Sequence, residues 1–557
     1  MSDGSVADAH GTPRRRSFLK LGGATLLAGG TAAATAACGH AGMAETLTRQ
    51  AASTAGSLQP DESTPPGALT LVPIPPERIP AAVARLDSII EGALSKTGVP
   101  GLAAAVVQDG NLLYAKGFGV RDVNFPARVD ASTVFHLASV SKPLSSTVVA
   151  GVAGRKVLNW TDPVVAHLPT FALADPYVTK HVTYADLFSH LSGLPDHAGD
   201  LLEDLGYDQS YILNRLRLEP LGPFRANWEY TNFGLTAAAV AAAAATGQSW
   251  ADLADEVLFG PVDMPSSSFR YSDFLNEANR AAMHVRVGTR WVQKYTRDAD
   301  PEAPAGGASS NVLDMANWMI LQLAGGTWRD IQVIDGDTLS QTHLPLALSQ
   351  LPMSPISRSG FYGYGMNVGY DYAARLRLSH SGGFSQGAAT AFWLLPSANL
   401  GIVVLTNGMP IGVPEAIINY FLDYVVAGSV QDDWLSLFGQ AFAGMYVNPS
   451  MLAGKKPPEH PVPANPNSFY TGTYDNPYYG PIQIVSEGTS LHLLIGPRPE
   501  DYVLTHWSGD LFAFYPTGEN ALGITAATFN PDATNSRAQS VTLEYYNTTG
   551  LGTFTRP

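Results

Sequence analysis

The segment Phe135-His-Leu-Ala-Ser-Val-Ser-Lys-Pro-Leu144 places a hydroxyl and an amine three residues apart, at Ser139 and Lys142. If Ser139 opens a helix, Lys142 at i+3 projects from the same face and within reach. An amine beside a hydroxyl takes its proton only as the neutral amine, and burial or neighbouring cations push a lysine toward that form. A helix N-terminus adds a positive dipole end and free N–H groups where an oxyanion would form. Ser-x-x-Lys is therefore a workable acyl-transfer nucleophile with its base. Pro143 restricts the geometry. Proline fits only the first turn, so the helix cannot begin much before Ser139. Proline also disfavours helical angles at the residue before it, here Lys142.

Two later stretches carry compatible chemistry. Tyr230-Thr231-Asn232 supplies a phenol that can shuttle protons and an amide that can hold a substrate amide. His380-Ser381-Gly382 follows the strand-like Ala374–Leu378, and backbone N–H groups there can complete an oxyanion hole. The same region holds a rival, Gly383-Phe-Ser385-Gln-Gly387, which matches the Gly-x-Ser-x-Gly nucleophile elbow. That elbow needs strand, sharp turn and helix, whereas the residues after Gly387 read as another strand. Ser385 is therefore the disfavoured nucleophile. His181, His190 and His197 lack metal-ligand spacing and nearby acids are sparse, so they read as loop braces and no metal is expected. His136 is expected to pack or hydrogen-bond beside the nucleophile. Ser141 either faces the site or caps the helix.

With these three stretches in this order, the chain resembles the serine β-lactamase-like hydrolases. Within them it resembles the branch of class C β-lactamases, D-alanyl-D-alanine carboxypeptidases and esterases, peptidase family S12. The supporting stretches are DPVVAHLPTF (162–171), DLFSHLSGLPDH (186–197), GPVDMPSSSF (260–269) and GFYGYGM (360–366), and the resemblance covers about residues 80–428. It implies Ser139 as the acylated nucleophile, with Lys142 and Tyr230 sharing general-base and general-acid duty. It implies Asn232 and Ser381 as substrate-binding residues and the N–H groups of Ser139 and Gly383 as the oxyanion hole. It also implies His380 as a catalytic residue, standing where β-lactamases carry the lysine of Lys-Thr-Gly, which helps bind a substrate carboxylate and keeps the tyrosine polarised. A histidine, mostly neutral at pH 7, pulls less on a substrate carboxylate. The expected activity is hydrolysis of a small-molecule ester, amide or peptide, including peptides with D-residues, with no metal or cofactor. The alternatives are a D,D-carboxypeptidase or weak β-lactamase, and a non-catalytic penicillin-recognising sensor or scaffold. The later FYTGTYDNPYYGPIQI (469–484) resembles a lipocalin-like β-barrel appended to some members.

The elements that must hold these residues are also visible. The chain has 557 residues, 45% of them hydrophobic, enough for a large core and more than one domain. Val83, Leu86, Ile90 and Leu94 repeat at helical spacing. Leu102–Val107 and Asn111–Tyr114 flank Asp109-Gly110, a tight-hairpin signal. Leu235–Ala245 is nearly all alanine and valine and reads as a buried helix. Ala391–Leu395 and Ile402–Leu405 are continuous apolar runs, as in strands covered on both faces, and a helix follows over about Glu415–Val426. The expected fold is an α/β (α+β) β-lactamase/transpeptidase-like domain. An antiparallel sheet carries the terminal helices on one face and a helical subdomain on the other. A second, all-β barrel domain follows it.

A net charge of −15, with no basic run beyond the N-terminus, argues against nucleic acid. Arg14-Arg15-Arg16 before Ser-Phe-Leu-Lys, then a mildly apolar stretch to Ala37, resembles a twin-arginine export signal and is too short for a membrane span. Cys38, the single cysteine, excludes an internal disulfide and is a candidate lipidation site that would anchor the chain to a membrane. The expected organisation is export signal 1–38, linker 39–77, catalytic domain 78–428, helix and Pro-rich linker 429–466, and barrel 467–557. The expected location is the periplasm or cell envelope.

Overall fold

The structure, a computed structural model, describes residues 72–352, 354, 358–371 and 373–557. The export signal, Cys38 and most of the linker expected over 39–77 lie outside the described residues. The stripe at Val83, Leu86, Ile90 and Leu94 predicts one helix, but two form: α1 (Arg78–Val83) and α2 (Leu86–Thr97). Leu86, Ile90 and Ala93 are buried, while Val83 and Leu94 are half-buried. Strand β1 (Gly101–Gln108) turns into β2 (Asn111–Asp122) at Asp109 and Gly110, with φ of 50° and 75°. Two consecutive left-handed residues are what the tightest hairpin requires. After β3 (Phe125–Arg128) the chain leaves the sheet for a helical region built around α3 (Ser141–Gly154), α4 (Asn232–Thr246) and α5 (Val312–Leu323).

It returns through β4 (Ala347–Gln350), β5 (Gly360–Tyr362), β6 (Asn367–Tyr370), β7 (Leu376–Phe384), β8 (Ala388–Leu395) and β9 (Leu400–Thr406). The sheet order is β4-β5-β6-β7-β8-β9-β1-β2-β3, with every neighbouring pair antiparallel. The β1–β9 pairing joins the two halves of the domain across the helical insertion. Side chains alternate faces along a strand. Leu102, Ala104 and Val106 accordingly pack with Trp393, Ile402 and Val404 under α2 and α6 (Val413–Val426). Ala103, Ala105 and Val107 join Phe392, Val403 and Leu405 beneath Met315 and Trp318 of α5. Both apolar runs are thus buried from both sides, at about 1.5–3 kcal/mol for each large apolar side chain.

Helix α7 (Trp434–Ala443) and a proline-rich segment without regular structure lead to a second sheet. Its strands are β10 (Gly472–Tyr474), β11 (Ile482–Glu487), β12 (Ser490–Ile495), β13 (Glu500–Ser508), β14 (Leu511–Phe514), β15 (Thr525–Pro531), β16 (Ala538–Leu543) and β17 (Thr553–Thr555). They pair in sequence order, and Asp475 and Thr555 exchange N–H···O bonds of 2.8 and 2.9 Å that nearly close the barrel. Its aromatics pack on one another, with Tyr470 at 5.0 Å from Phe512 and 4.8 Å from Phe529 between ring centres.

Candidate active site

Ser139 lies in a 3-10 turn, Ala138–Val140, that runs straight into α3. The expectation that Ser139 itself opens the α-helix needs correcting: the helix begins at Ser141. Pro143 falls on its third residue, within the first turn where proline is tolerated. Lys142 is helical despite preceding a proline. The residue that takes the unusual backbone is instead Ala138, at φ 48°. A non-glycine residue there costs energy, and such strain clusters at functional sites. Ser141 is a brace, because its hydroxyl donates to Ala138 O at 2.6 Å and accepts from Ala308 N–H at 2.9 Å. Every residue from Thr133 to Ala153 is buried except Ser139. The turn therefore presents one hydroxyl to the outside of an otherwise closed core.

Two groups converge on that hydroxyl. Lys142 Nζ lies 3.2 Å from Ser139 Oγ, and Tyr230 O–H donates to it at 2.8 Å. Lys142 is fully enclosed, and its amine also donates to Asn232 Oδ1 at 2.6 Å and Ala305 O at 3.0 Å. Burial pulls its pKa down to about 8, against the opposing pull of Glu302, Asp200 and Glu203. Burial pushes the Tyr230 phenol well above its ordinary value, so it is a neutral O–H donor.

The segment 190–200 clasps Tyr230-Thr231-Asn232 from both sides. His190 and His197 both take left-handed backbones, φ 60° and 58°. His190 Nδ1 accepts from Thr231 N–H at 3.2 Å, and its ring lies 4.6 Å from that of Tyr230. His197 N–H donates to Tyr230 O at 2.8 Å. Asp200 Oδ2 accepts from His197 Nδ1 at 2.6 Å and from Asn232 Nδ2 at 2.9 Å. Burial alone would lower His197, but the Asp196 and Asp200 carboxylates outweigh it and hold the imidazole at about 9. These histidines are braces, as expected, but braces of the site itself. The expectation of sparse acids fails, since Asp196 and Asp200 lie within this stretch and Glu203 and Asp204 follow directly after it.

Strand β7 supplies the opposite wall. It pairs with β8 along its length but with β6 only as far as Ser379. His380 pairs with Phe392 and faces the helical region. Its Nδ1 meets Ser381 O at 2.7 Å and must carry the hydrogen, so Nε2 accepts from Tyr362 O–H at 2.8 Å. Burial, helped by Lys142, lowers its pKa to about 3, which makes it a neutral imidazole. Ser381, expected to bind substrate, faces the other way. It pairs with Ala391, which belongs to the core under α6, and its hydroxyl lies beside the buried Glu415 carboxyl. The alternation of the strand sends neighbours to opposite faces, so His380 and Ser381 do not serve one pocket. Gly382 touches the nucleophile turn: a Cβ there would meet Leu137 O at 2.2 Å and Ser139 N at 3.0 Å. Gly383 follows it, paired with Ala389.

Ser385 sits in the β7–β8 hairpin and is followed by strand, not helix. Its N–H and hydroxyl are both taken by Glu519 of the barrel. Next to it, Arg297 binds Glu203 at 2.7 Å and Glu302 at 2.9 Å, and Asp204 accepts from the Glu519 and Asn520 N–H groups at 2.8 and 3.1 Å. Burial pushes Glu203, Asp204 and Glu302 up against the pull of Arg297. The barrel is thereby tied to the wall of the site. His136 packs on Phe274, ring centres 3.9 Å apart, and lines a cavity of about 540 Å³ with Tyr271, Met283, Arg121 and Arg280. None of Ser139, Lys142 or Tyr230 lines that cavity. Among the described residues no cluster of His, Cys, Asp or Glu has the arrangement of a metal site, and no helix is long and apolar enough to cross a membrane. Sequence reasoning missed Asp200, Tyr362, Arg297 and Glu302. The Asp-His pair at 196–197 followed by Asp200 was the one local signal.

A family model described as Beta-lactamase matches residues 86–427, and one described as a domain of unknown function, DUF3471, matches residues 456–550. Beta-lactamase-like protein 2 of Dictyostelium discoideum is 22% identical over 420 residues, covering 74% of this chain and 74% of that protein. Esterase EstB of Burkholderia gladioli is 33% identical over 207 residues, 33% of this chain and 51% of EstB, so the chain spans about half of EstB. The solved octameric penicillin-binding protein homologue from Pyrococcus abyssi shares the fold, with a TM-score of 0.55 at 19% identity over 83% of this chain and 98% of that one. The Beta-lactamase match takes in more than half of the 557 residues, including the Ser139 turn, the Tyr230 segment and β7, and the chain belongs to the Beta-lactamase family, a family of serine hydrolases.

Proposed function

We propose that this chain is an exported serine hydrolase that cleaves small esters or amides, including peptides with D-residues, through an acyl-enzyme on Ser139. The observation that carries the proposal is the convergence on Ser139 Oγ of Lys142 Nζ at 3.2 Å and Tyr230 O–H at 2.8 Å. As the neutral amine, Lys142 takes the hydroxyl proton while Oγ bonds to the substrate carbonyl carbon. The Ser139 and Gly383 N–H groups hold the oxyanion. The C–O or C–N bond then breaks, and the leaving group recovers the proton from the Lys142 ammonium with the Tyr230 O–H bridging. Water repeats the sequence to release the acid.

Neutral His380 favours this reading over an efficient β-lactamase, whose substrates carry a carboxylate beside the scissile bond, and leaves a D,D-carboxypeptidase as the second reading. The similarity to esterase EstB supports the ester branch. The Arg14–Arg16 run and Cys38 support export and a lipid anchor.

The test is a panel of p-nitrophenyl acetate and butyrate, D- and L-aminoacyl anilides, a D-Ala-D-Ala peptide and nitrocefin, with intact-mass detection of a fluorophosphonate adduct. Ester or anilide turnover that disappears in Ser139→Ala supports the reading. A stable adduct without turnover of any substrate would replace it with a sensor. Activity retained in Ser139→Ala would remove it.

A further inference from the structure

We infer that Asp200 is a positioning residue, which holds the Asn232 amide so that its carbonyl, and not its NH2, faces Lys142. The inference rests on the acyl-enzyme reading of Ser139. Asn232 stands between two charged groups that want opposite ends of it. Lys142 Nζ donates to Oδ1 at 2.6 Å, and Asp200 Oδ2 accepts from Nδ2 at 2.9 Å. A flipped amide would set NH2 against ammonium or amine donors and carbonyl against carboxylate, so both neighbours select one orientation. Asn232 Oδ1 and Ala305 O are the two other acceptors that hold the lysine amine 3.2 Å from Ser139 Oγ. Fixing the amide therefore fixes the base.

Asp200 is placed for this role. It is 5% exposed, and its second oxygen, Oδ1, is buried with no hydrogen-bond partner among the described residues. Its working oxygen is held from behind by His197 Nδ1 at 2.6 Å. His197 is itself fixed by its backbone bond to Tyr230 O at 2.8 Å. The chain Ser139–Lys142–Asn232–Asp200–His197 thus closes back on Tyr230, the other group on the nucleophile. Asp200 touches no reacting atom and acts through Asn232.

A double-mutant cycle on the full chain tests this, read as the rate of fluorophosphonate labelling and of p-nitrophenyl ester turnover. Misplacing a catalytic group by about 1 Å costs on the order of 100-fold. Asp200→Leu should therefore lose about 30- to 100-fold in the parent but less than about 3-fold in an Asn232→Ala background, since the residue it acts through is already gone. Asp200→Asn should recover most of the rate, because its carbonyl, in the place of Oδ2, still accepts from Asn232 Nδ2 and from His197 Nδ1–H. Should Asp200→Leu fail to fold, Asp200→Ser takes its place in the cycle, as its hydroxyl is too short to reach Asn232. Equal losses in both backgrounds, no loss in either, or no recovery in Asp200→Asn would overturn the inference. Ser139→Ala is run alongside. If it remains active the acyl-enzyme reading has failed, and if it is inactive while the cycle is additive only the role of Asp200 has failed.

Discussion

Lys142 Nζ stands 3.2 Å from Ser139 Oγ inside a side chain that is wholly buried. The proximity makes it a base and the burial makes it usable, because burial takes its pKa from 10.5 down to about 8. At pH 7 roughly a tenth of the chains then carry the neutral amine, against fewer than about one in a thousand for an ordinary lysine. Fluorophosphonate labelling of Ser139 should rise close to tenfold per pH unit below pH 8 and level off above it. Lys142→Arg, whose guanidinium does not deprotonate, should lose about 10³-fold or more with the same adduct chemistry available. A flat profile between pH 6 and 9 would remove Lys142 from the role of base.

Gly382 is the point where β7 meets the nucleophile turn. A single methyl there would enter at 2.2 Å from Leu137 O and 3.0 Å from Ser139 N. Both neighbours are backbone and cannot swing aside. Gly382→Ala should abolish labelling of Ser139 and lower the melting temperature by several degrees, in line with about 1–3 kcal/mol for overpacking a closed site. Wild-type labelling in Gly382→Ala would mean that β7 and the turn do not touch as described.

Much of this was legible in the sequence. The continuous apolar runs at Ala391–Leu395 and Ile402–Leu405 announced strands buried on both faces, and Asp109-Gly110 announced their hairpin neighbour, because both signals depend only on local pattern. Ser139, Lys142, Tyr230, Asn232 and His380 were named on the strength of three short motifs, and they come together in space. What was missed is non-local. Ser381 reads as part of the motif, yet strand alternation turns it to Glu415. Asp200 gains meaning only when Asn232, 32 residues on, folds back to it. Arg297 and Glu302 matter because they lie buried beside residues 203–204 and the barrel, which no window of sequence reveals. The start of α3 was placed two residues early, because the strain was carried by Ala138 and not by the residue before Pro143.

The pair of half-buried His197 and buried Asp200 makes stability depend on pH. The folded imidazole titrates at about 9, against an ordinary 6.5, with burial opposing the shift and the Asp196 and Asp200 carboxylates driving it. A raised folded pKa gives stability that is fully present below pH 6.5 and lost as pH rises through 9. His197→Gln should therefore melt well below the parent at pH 6, by an amount that reflects up to about 3 kcal/mol. The gap should close progressively between pH 6.5 and 9.5. A gap that stays constant over that range would show that the histidine charge contributes nothing.

Asp204 holds the barrel against the catalytic domain. Its carboxylate accepts from Glu519 N–H at 2.8 Å, Asn520 N–H at 3.1 Å and Asn520 Nδ2 at 3.0 Å, all from the loop that also grips the Ser385 hairpin. Removing the acceptor leaves these donors, on half-buried residues, without their partner, at up to about 1 kcal/mol for each bond lost. Asp204→Ala should loosen that loop first. Proteolysis in the proline-rich segment 449–466 should speed up, and Ser139 labelling should slow, because the hairpin that follows Gly383 loses its outer support. Asp204→Asn keeps one acceptor and should sit between the two. If Asp204→Ala leaves both proteolysis and labelling unchanged, the barrel is held by other contacts, such as the 2.6 Å bond from Tyr207 O–H to Tyr479 O, and its loop does not support the site.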